Sequence, residues 1–118
     1  MSEPYIGQLM CVGYSFSIRG WANCDGQILP TSQHSALFSL FGTTYGGDGE
    51  STFGLPDLRG RVPVHAGQGP DLPVYTQGEK GGRAGAIRSD EVNYSVRTQA
   101  YLVMRWLVAL QGIYPSAS

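Results

Sequence analysis

The sequence predicts a β-rich α+β fold, in which short strands and hairpins surround one short helix. Seventeen glycines and seven prolines in 118 residues interrupt the chain too often for long helices. Apolar residues make up 42% of the chain, which is enough for one compact core. We expect a single domain over 1–118, with a motif-rich core over 1–66, an irregular exposed region over 67–99 and a terminal strand over 100–118.

The N-terminal part of the chain predicts strands and a tight turn. Apolar residues recur from Tyr5 to Phe16, which favours one or two short strands that break at Gly13. The dipeptide Asp25-Gly26 favours a two-residue type I′ hairpin turn, because both residues readily adopt positive φ angles. Trp21 is interpreted as a core anchor rather than as a platform for stacking sugars.

A short helix is expected next. Thr31 or Ser32 is expected to cap a helix that begins near Gln33 and ends at Gly42. We expect its apolar face to pack against the flanking strands, with Trp21 as a candidate partner. That face consists of Ala36, Leu37, Phe38, Leu40 and Phe41.

The middle of the chain is rich in glycine and charge. The stretch YGGDGEST, residues 45–52, lacks the Gly-Lys-Ser/Thr ending of a phosphate-binding loop and is assigned to turn formation. Asp57, Arg59 and Arg61 are interpreted as a structural ion pair that holds a loop. A strand is expected near Arg61–His65, and residues 67–85 are expected to be irregular and at least partly exposed.

The apolar stretch Tyr101–Leu110 is interrupted only by Arg105. Periodicity alone allows a helix or a buried strand. As a strand it has two largely apolar faces, which suggests that a second subunit covers one of them. The stretch is about half as long as a membrane-spanning helix. We expect no secretory signal at the N-terminus, because no basic region followed by an apolar stretch is present there. We therefore expect no membrane insertion.

The chain carries four motif blocks, which are GWANCDGQILP from Gly20, SQHSALFSLFGTTYGGDG from Ser32, TFGLPDLRGRVPV from Thr52 and AYLVMRWLVALQGIYPS from Ala100. These blocks resemble the phage tail-collar domain, and in particular the small proteins often called microcystin-dependent proteins, relatives of tail-fibre tips. The resemblance implies that the last block is a strand. It also implies a homotrimer that works within a phage tail.

One part of the chain departs from these relatives. They carry a longer stretch containing Thr and His after a QKGG-like element, whereas here GEKGGRAGAIRSDEVNYSVRTQ leads almost directly to the final strand. We therefore expect the exposed residues that make variable contacts to be concentrated in 70–98. The residues there that combine aromatic stacking with recognition of anions are the candidate binding residues. They are Tyr75, Arg83, Arg88, Tyr94 and Arg97.

Few residues suggest catalysis. His34 and His65 lack the spacing of metal ligands, so we expect no metal, although a threefold axis would bring three copies of one histidine together. Cys11 and Cys24 are expected to be free thiols, with a bridge as the alternative. Neither cysteine has a nearby histidine that would activate it. We expect a protein without enzymatic activity or cofactor.

Three functional interpretations follow. The first is a noncatalytic structural and receptor-binding module of a phage tail or tail-like particle. It is made in the cytoplasm and acts as a homotrimer that contacts other tail or fibre proteins and cell-surface glycan. The second is a free-standing oligomer that binds an anionic small ligand, a nucleotide or sulfated sugar, between subunits. The third is a self-assembling fibre subunit. Basic residues are too dilute for a nucleic-acid partner.

Overall fold

The computed structural model describes residues 3–86 and 100–117. Within these ranges the chain forms short strands and one α-helix, which confirms the β-rich α+β class. The α-helix, α1, spans Ser35–Phe41 and follows a 3₁₀ turn over Thr31–Gln33. The strands are β1 (Leu9–Val12), β2 (Trp21–Asn23), β3 (Ile28–Pro30), β4 (Thr52–Gly54), β5 (Gly67–Gln68), β6 (Val74–Tyr75) and β7 (Arg105–Ala109).

A three-stranded antiparallel sheet joins the two ends of the chain. Its order is β1-β7-β2, so the C-terminal strand lies between two N-terminal strands. Val108 of β7 lies opposite both Leu9 and Ala22. Two further antiparallel pairs, β3 with β4 and β5 with β6, complete the described sheets.

The core lies on both sides of β7. Leu107, Val108 and Ala109 are consecutive and fully buried. Because successive strand residues point to opposite faces, both faces of this segment are covered by the chain itself. One side holds a cluster of Val108 with Cys24, Leu37, Phe53 and Leu55. The predicted terminal strand is therefore confirmed over Arg105–Ala109, and this part of it needs no second subunit as cover.

The predicted Asp25-Gly26 hairpin is wrong. The two strands that flank it do not pair with each other, since β2 pairs with β7 and β3 pairs with β4. Gly26 has a φ of 72°, but Asp25 does not share the positive φ that a type I′ turn requires. The chain instead turns from one sheet to the other, and Gln27 spans the turn by donating from Nε2 to the Asn23 carbonyl at 2.9 Å.

The helix exists, but it begins at Ser35 and its predicted N-terminal cap is wrong. Thr31 does not cap α1, because its hydroxyl donates to the Glu50 carbonyl at 2.9 Å. The residue before the helix, His34, makes no side-chain capping bond. The predicted end is confirmed, since Gly42 has a φ of 52° and its N–H donates to the Phe38 carbonyl.

Two further expectations are wrong, namely Trp21 as a partner of the helix and a strand near Arg61–His65. The helix packs instead through Phe38 on Phe53 of β4, with ring centroids 5.6 Å apart. Trp21 is half-buried and is not among the described residues that pack on the core cluster. The strand expected near Arg61–His65 is not formed, and this exposed segment leads to β5 as irregular backbone.

We predict that Val108→Ala lowers the free energy of unfolding by about 2 kcal/mol, because two fully buried methyl groups are lost and a cavity remains. Val62→Ala is the matched control, since Val62 is 63% exposed and its loss should change stability by less than about 0.5 kcal/mol. Urea denaturation followed by circular dichroism measures both. Equal losses in the two variants would contradict the placement of β7 at the centre of the core.

Candidate functional site

A clamp of three charged residues closes the turn after β4. The Asp57 carboxylate accepts hydrogen bonds from Arg59 Nε at 2.9 Å and Arg59 Nη2 at 3.0 Å, an arrangement in which two parallel bonds join a planar pair. Arg61 Nη1 donates to the Asp57 carbonyl at 3.2 Å and lies 3.6 Å from Oδ2. These bonds join the three residues that the sequence singles out as a structural motif.

The clamp shifts the pKa values of Asp57 and Arg59. The side-chain hydrogen bonds from Arg59 hold the pKa of Asp57 well below its usual range, assisted by the Arg59 backbone N–H and the charges of Arg59 and Arg61. The same bond raises the pKa of Arg59. The Asp57 carboxylate is consequently ionised at neutral pH, and both of its oxygens are bonded to Arg59. It therefore has a structural role and does not act as a proton donor.

Asp25 and Gly26 attach this clamp to the rest of the domain. Asp25 and Asp57 form an isolated antiparallel bridge, and the Gly26 N–H donates to the Pro56 carbonyl at 3.1 Å. A Cβ on Gly26 would lie 3.1 Å from the Asp57 Cβ, so glycine permits this approach. The turn that the sequence assigns to a hairpin thus supports the ion pair instead.

The loop before β4 is organised by Asp48. Its carboxylate accepts hydrogen bonds from the backbone N–H groups of Glu50, Ser51 and Thr52, and from the Ser51 hydroxyl. These bonds, chiefly those from Glu50 and Thr52, lower the pKa of Asp48. Every Asp48 contact is internal to the loop, as expected for a turn and not for a phosphate-binding loop.

An open groove lies between the clamp and the segment that follows β6. Two adjoining cavities of about 290 and 590 Å³ share the wall residues Arg61, Val62, Val64, Tyr75, Glu79 and Lys80. Pro73, Val74 and Arg83 extend the larger cavity. The wall is therefore mainly apolar, and it carries three cationic side chains beside the Glu79 carboxylate.

Three contacts hold the groove wall on the core. The Gln77 amide donates to the Tyr45 hydroxyl at 2.9 Å, and the Gly85 N–H donates to the Gly60 carbonyl at 2.9 Å. Gly78 packs so closely on Thr44 that a Cβ would lie 2.6 Å from the Thr44 Cγ2. The groove is thus formed by a segment tied to the core at both ends.

The structure brings two of the five predicted binding residues together. Tyr75 and Arg83 both line the larger cavity. Arg88, Tyr94 and Arg97 lie outside the described residues. Sequence reasoning missed Lys80 and Arg61 as groove residues. Lys80 is the chain's only lysine and lies in the glycine-rich region that was expected to be exposed. This position in the sequence could have identified Lys80 as a candidate binding residue.

Other reactive groups are separate from the groove. Cys11 and Cys24 are both free, which confirms the sequence prediction. Burial, with a smaller effect from Asp25, raises the pKa of Cys24 to about 12, so its thiol is protonated and unreactive at neutral pH. Among residues 3–86 and 100–117, no three His, Cys, Asp or Glu side chains cluster as a metal site. None of the described helices is long and apolar enough to cross a membrane.

Short antiparallel strands, an ion-paired turn and an exposed groove define a small β-rich structural module. Residues 7–63 match the family model of the phage tail collar domain. Residues 7–63 are therefore similar to a phage tail collar domain, and this similarity indicates a structural module of a phage tail that associates with other tail or fibre proteins. A search of curated proteins found no match. The matched range contains β1 to β4, α1 and the clamp.

We predict that Asp57→Asn lowers the free energy of unfolding at pH 7 by about 1 kcal/mol, because Arg59 is largely exposed and solvent screens the pair. The folded-state pKa of Asp57 is depressed, so its stabilising effect is present above the unfolded-state value of about 3.9. The effect is lost as the pH falls through the lower folded-state pKa. Urea titrations from pH 7 down to pH 2 should therefore show the wild type and variant converging below about pH 4. Glu50→Gln serves as the exposed control, and a difference independent of pH would contradict the clamp.

We predict that Gly54→Ala is strongly destabilising, by about 1–3 kcal/mol. Gly54 faces the backbone of the loop that borders the groove, and a Cβ would lie 2.8 Å from the Tyr45 carbonyl carbon. Gly81→Ala is the control, because that position has open space and does not have a positive φ. Melting temperatures measured side by side test the prediction, and a Gly54→Ala protein as stable as Gly81→Ala would refute the close approach.

Proposed function

We propose that this chain is a noncatalytic, surface-binding module of a phage tail that acts as a homotrimer and presents its groove to cell-surface glycan. The observation that carries the proposal is the meeting of Tyr75 with Lys80 and Arg83 in one open, mostly apolar groove. The phage tail setting rests on the similarity of residues 7–63 to the collar domain, and an exposed location suits a module that contacts host cells.

The groove chemistry fits an anionic saccharide. A sugar ring has apolar faces that can stack on the Tyr75 ring and on neighbouring valines. Within the described residues, neither Lys80 nor Arg83 forms a salt bridge, so both cations are available for a carboxylate or sulfate. Glu79, the nearest acid, accepts a hydrogen bond from the Thr76 N–H at 2.9 Å and is directed to that turn.

A noncatalytic role is consistent with the residues that line the groove. Among the described residues, the wall includes no His, Cys or Ser, and the Glu79 carboxylate accepts a hydrogen bond from the Thr76 N–H. The acid at the far wall, Asp57, is held ionised by Arg59 and cannot donate a proton at neutral pH. Binding of a ligand is therefore the chemistry that these groups support.

Repetition of a shallow groove would provide the affinity that a single copy lacks. An open site with few charged contacts binds weakly on its own. Three copies on one rigid axis convert the second and third contacts into intramolecular events, which strengthens attachment to a surface of repeated glycans. Homotrimerisation and glycan binding thus depend on each other in this proposal.

We predict that Tyr75→Ala and Arg83→Ala each weaken binding of the full chain to host cells by about tenfold, or about 1.4 kcal/mol. Arg19→Ala is the matched control, since Arg19 is exposed and lies outside the groove. Binding is measured by flow cytometry with labelled protein, after circular dichroism confirms folding. Unchanged binding after replacement of Tyr75, Arg83, Arg88, Tyr94 and Arg97 together would reject the assignment.

The same two cations favour a second candidate function, in which a free-standing oligomer binds an anionic small ligand. In this second function, Lys80 and Arg83 contribute more to ligand binding, and the apolar wall contributes less, than in the binding of glycan. Thermal shift measurements with nucleotides and sulfated monosaccharides separate the two functions, because a bound ligand raises the melting temperature by mass action. A shift with nucleotides at micromolar concentration, without binding to cells, would favour the second function.

A further inference from the structure

The segment that leads into β7 is an apolar strand extension, Tyr101–Met104, that the described chain leaves uncovered. Leu102 and Val103 are 82% and 81% exposed, and their two neighbours are about half exposed. Among the described residues, no backbone hydrogen bond joins this segment to another part of the chain. Four successive apolar residues with free backbone groups are typical of a contact with another chain.

A cavity of about 300 Å³ lies beside the strand extension and contains an unmatched charge. Val103 and Met104 line it, as do Asn23 and Arg59. Arg105 also lines it and donates from Nη1 to the Asn23 side-chain oxygen at 3.0 Å, while its buried Nε has no acceptor. In the described part of the chain, no carboxylate forms a salt bridge with Arg105.

The other cation at this cavity, Arg59, is bonded to the Asp57 carboxylate. Asp25 also lines the cavity, but it forms no salt bridge with Arg105. Among the described residues, Arg105 therefore has no carboxylate partner, and a carboxylate with adjacent apolar groups would complement this surface.

The chain itself carries such a group at the hairpin tip, residues 71–74, which lead from the β5–β6 loop into the first residue of β6. Leu72 and Val74 are 55% and 57% exposed, and Asp71 beside them is also exposed and forms no salt bridge in the described residues. The tip has a defined shape, because the Leu72 N–H donates to the Gly69 carbonyl at 3.1 Å and the Gln68 amide donates to the Leu72 carbonyl at 3.2 Å.

We propose that the hairpin tip of one copy docks on the strand extension of the next copy. Leu72 covers Leu102 and Val103, and Asp71 approaches Arg105. This inference rests on the homo-oligomer of the proposed function and names the surfaces that form it. Apolar burial supplies most of the stabilisation, and the opposite charges determine which surfaces meet.

Charge also determines the symmetry of this contact. Pairing the strand extension with itself would bring two Arg105 guanidinium groups together, and pairing two hairpin tips would bring two Asp71 carboxylates together. Both arrangements place like charges close to each other, which is unfavourable. Contact of tip with extension avoids the repulsion and is heterologous, so it produces a closed ring when its rotation is suitable.

Cysteine cross-linking of the full chain tests the contact. In a Cys11→Ser background, differently tagged chains that carry Leu72→Cys or Val103→Cys are co-expressed and oxidised mildly. Buried Cys24 should stay unreactive. We expect a disulfide between the two tags and little linkage between chains with the same tag. The matched control replaces Leu72→Cys by Ile28→Cys, because Ile28 is equally exposed at 55% and lies outside the tip.

The outcomes separate this interface from the proposed function. An oligomer by light scattering that does not cross-link the two tags would overturn the interface and leave oligomerisation intact. Equal linkage between two Val103→Cys chains would overturn it in favour of symmetric pairing. A monomer at all concentrations would overturn both proposals.

A charge reversal gives an independent readout. We expect Asp71→Arg to raise the dissociation constant of the oligomer by about tenfold or more, because a repulsive contact replaces an attractive one. Glu50→Arg is the control, since Glu50 is exposed but lies in the loop before β4. Sedimentation at several concentrations measures both, and equal effects would rule out a specific role for Asp71.

Discussion

The burial of β7 on both faces is the constraint on which the rest of the domain depends. Three consecutive residues, Leu107 to Ala109, are fully buried, so the chain must supply cover above and below a single strand. Strands β1 and β2 hold its edges, and the cluster around Leu37, Phe53 and Leu55 covers one side. Because this central strand comes from the end of the chain, the N-terminal motif and the C-terminal segment form one cooperative unit.

Around that core, polar contacts position the exposed groove without adding a second core. The Asp57 clamp holds the turn that supplies Arg61, and bonds from Gln77 and Gly85 fasten the opposite wall. Each contact is small in energy, since most of the participating groups are exposed to solvent. Their combined effect is geometric, because they fix where the groove residues lie relative to the collar motif.

The described surface divides into regions with different properties. The groove combines an aromatic ring, valines and cations, which suits recognition of an anionic ligand. The strand extension and the hairpin tip carry exposed apolar residues and opposite charges, which suits contact between copies. Tyr75 lies at the base of the same hairpin whose tip carries Asp71, so one short element contributes to both of the proposed surfaces. Restraint of this hairpin by a neighbouring copy would stabilise the groove wall.

The sequence by itself determined the class of fold, the end of the helix at Gly42, the free cysteines and the Asp57–Arg59 partnership, because each depends on local composition, backbone freedom or near neighbours. Only the tertiary structure decided that Asp25-Gly26 joins two sheets, that Thr31 bonds to Glu50 instead of capping α1, and that Trp21 is not among the described residues that pack on the core cluster. It also brought Lys80 and Arg83 to Tyr75. These outcomes depend on which distant segments pair, and the residues next to each position do not specify that pairing.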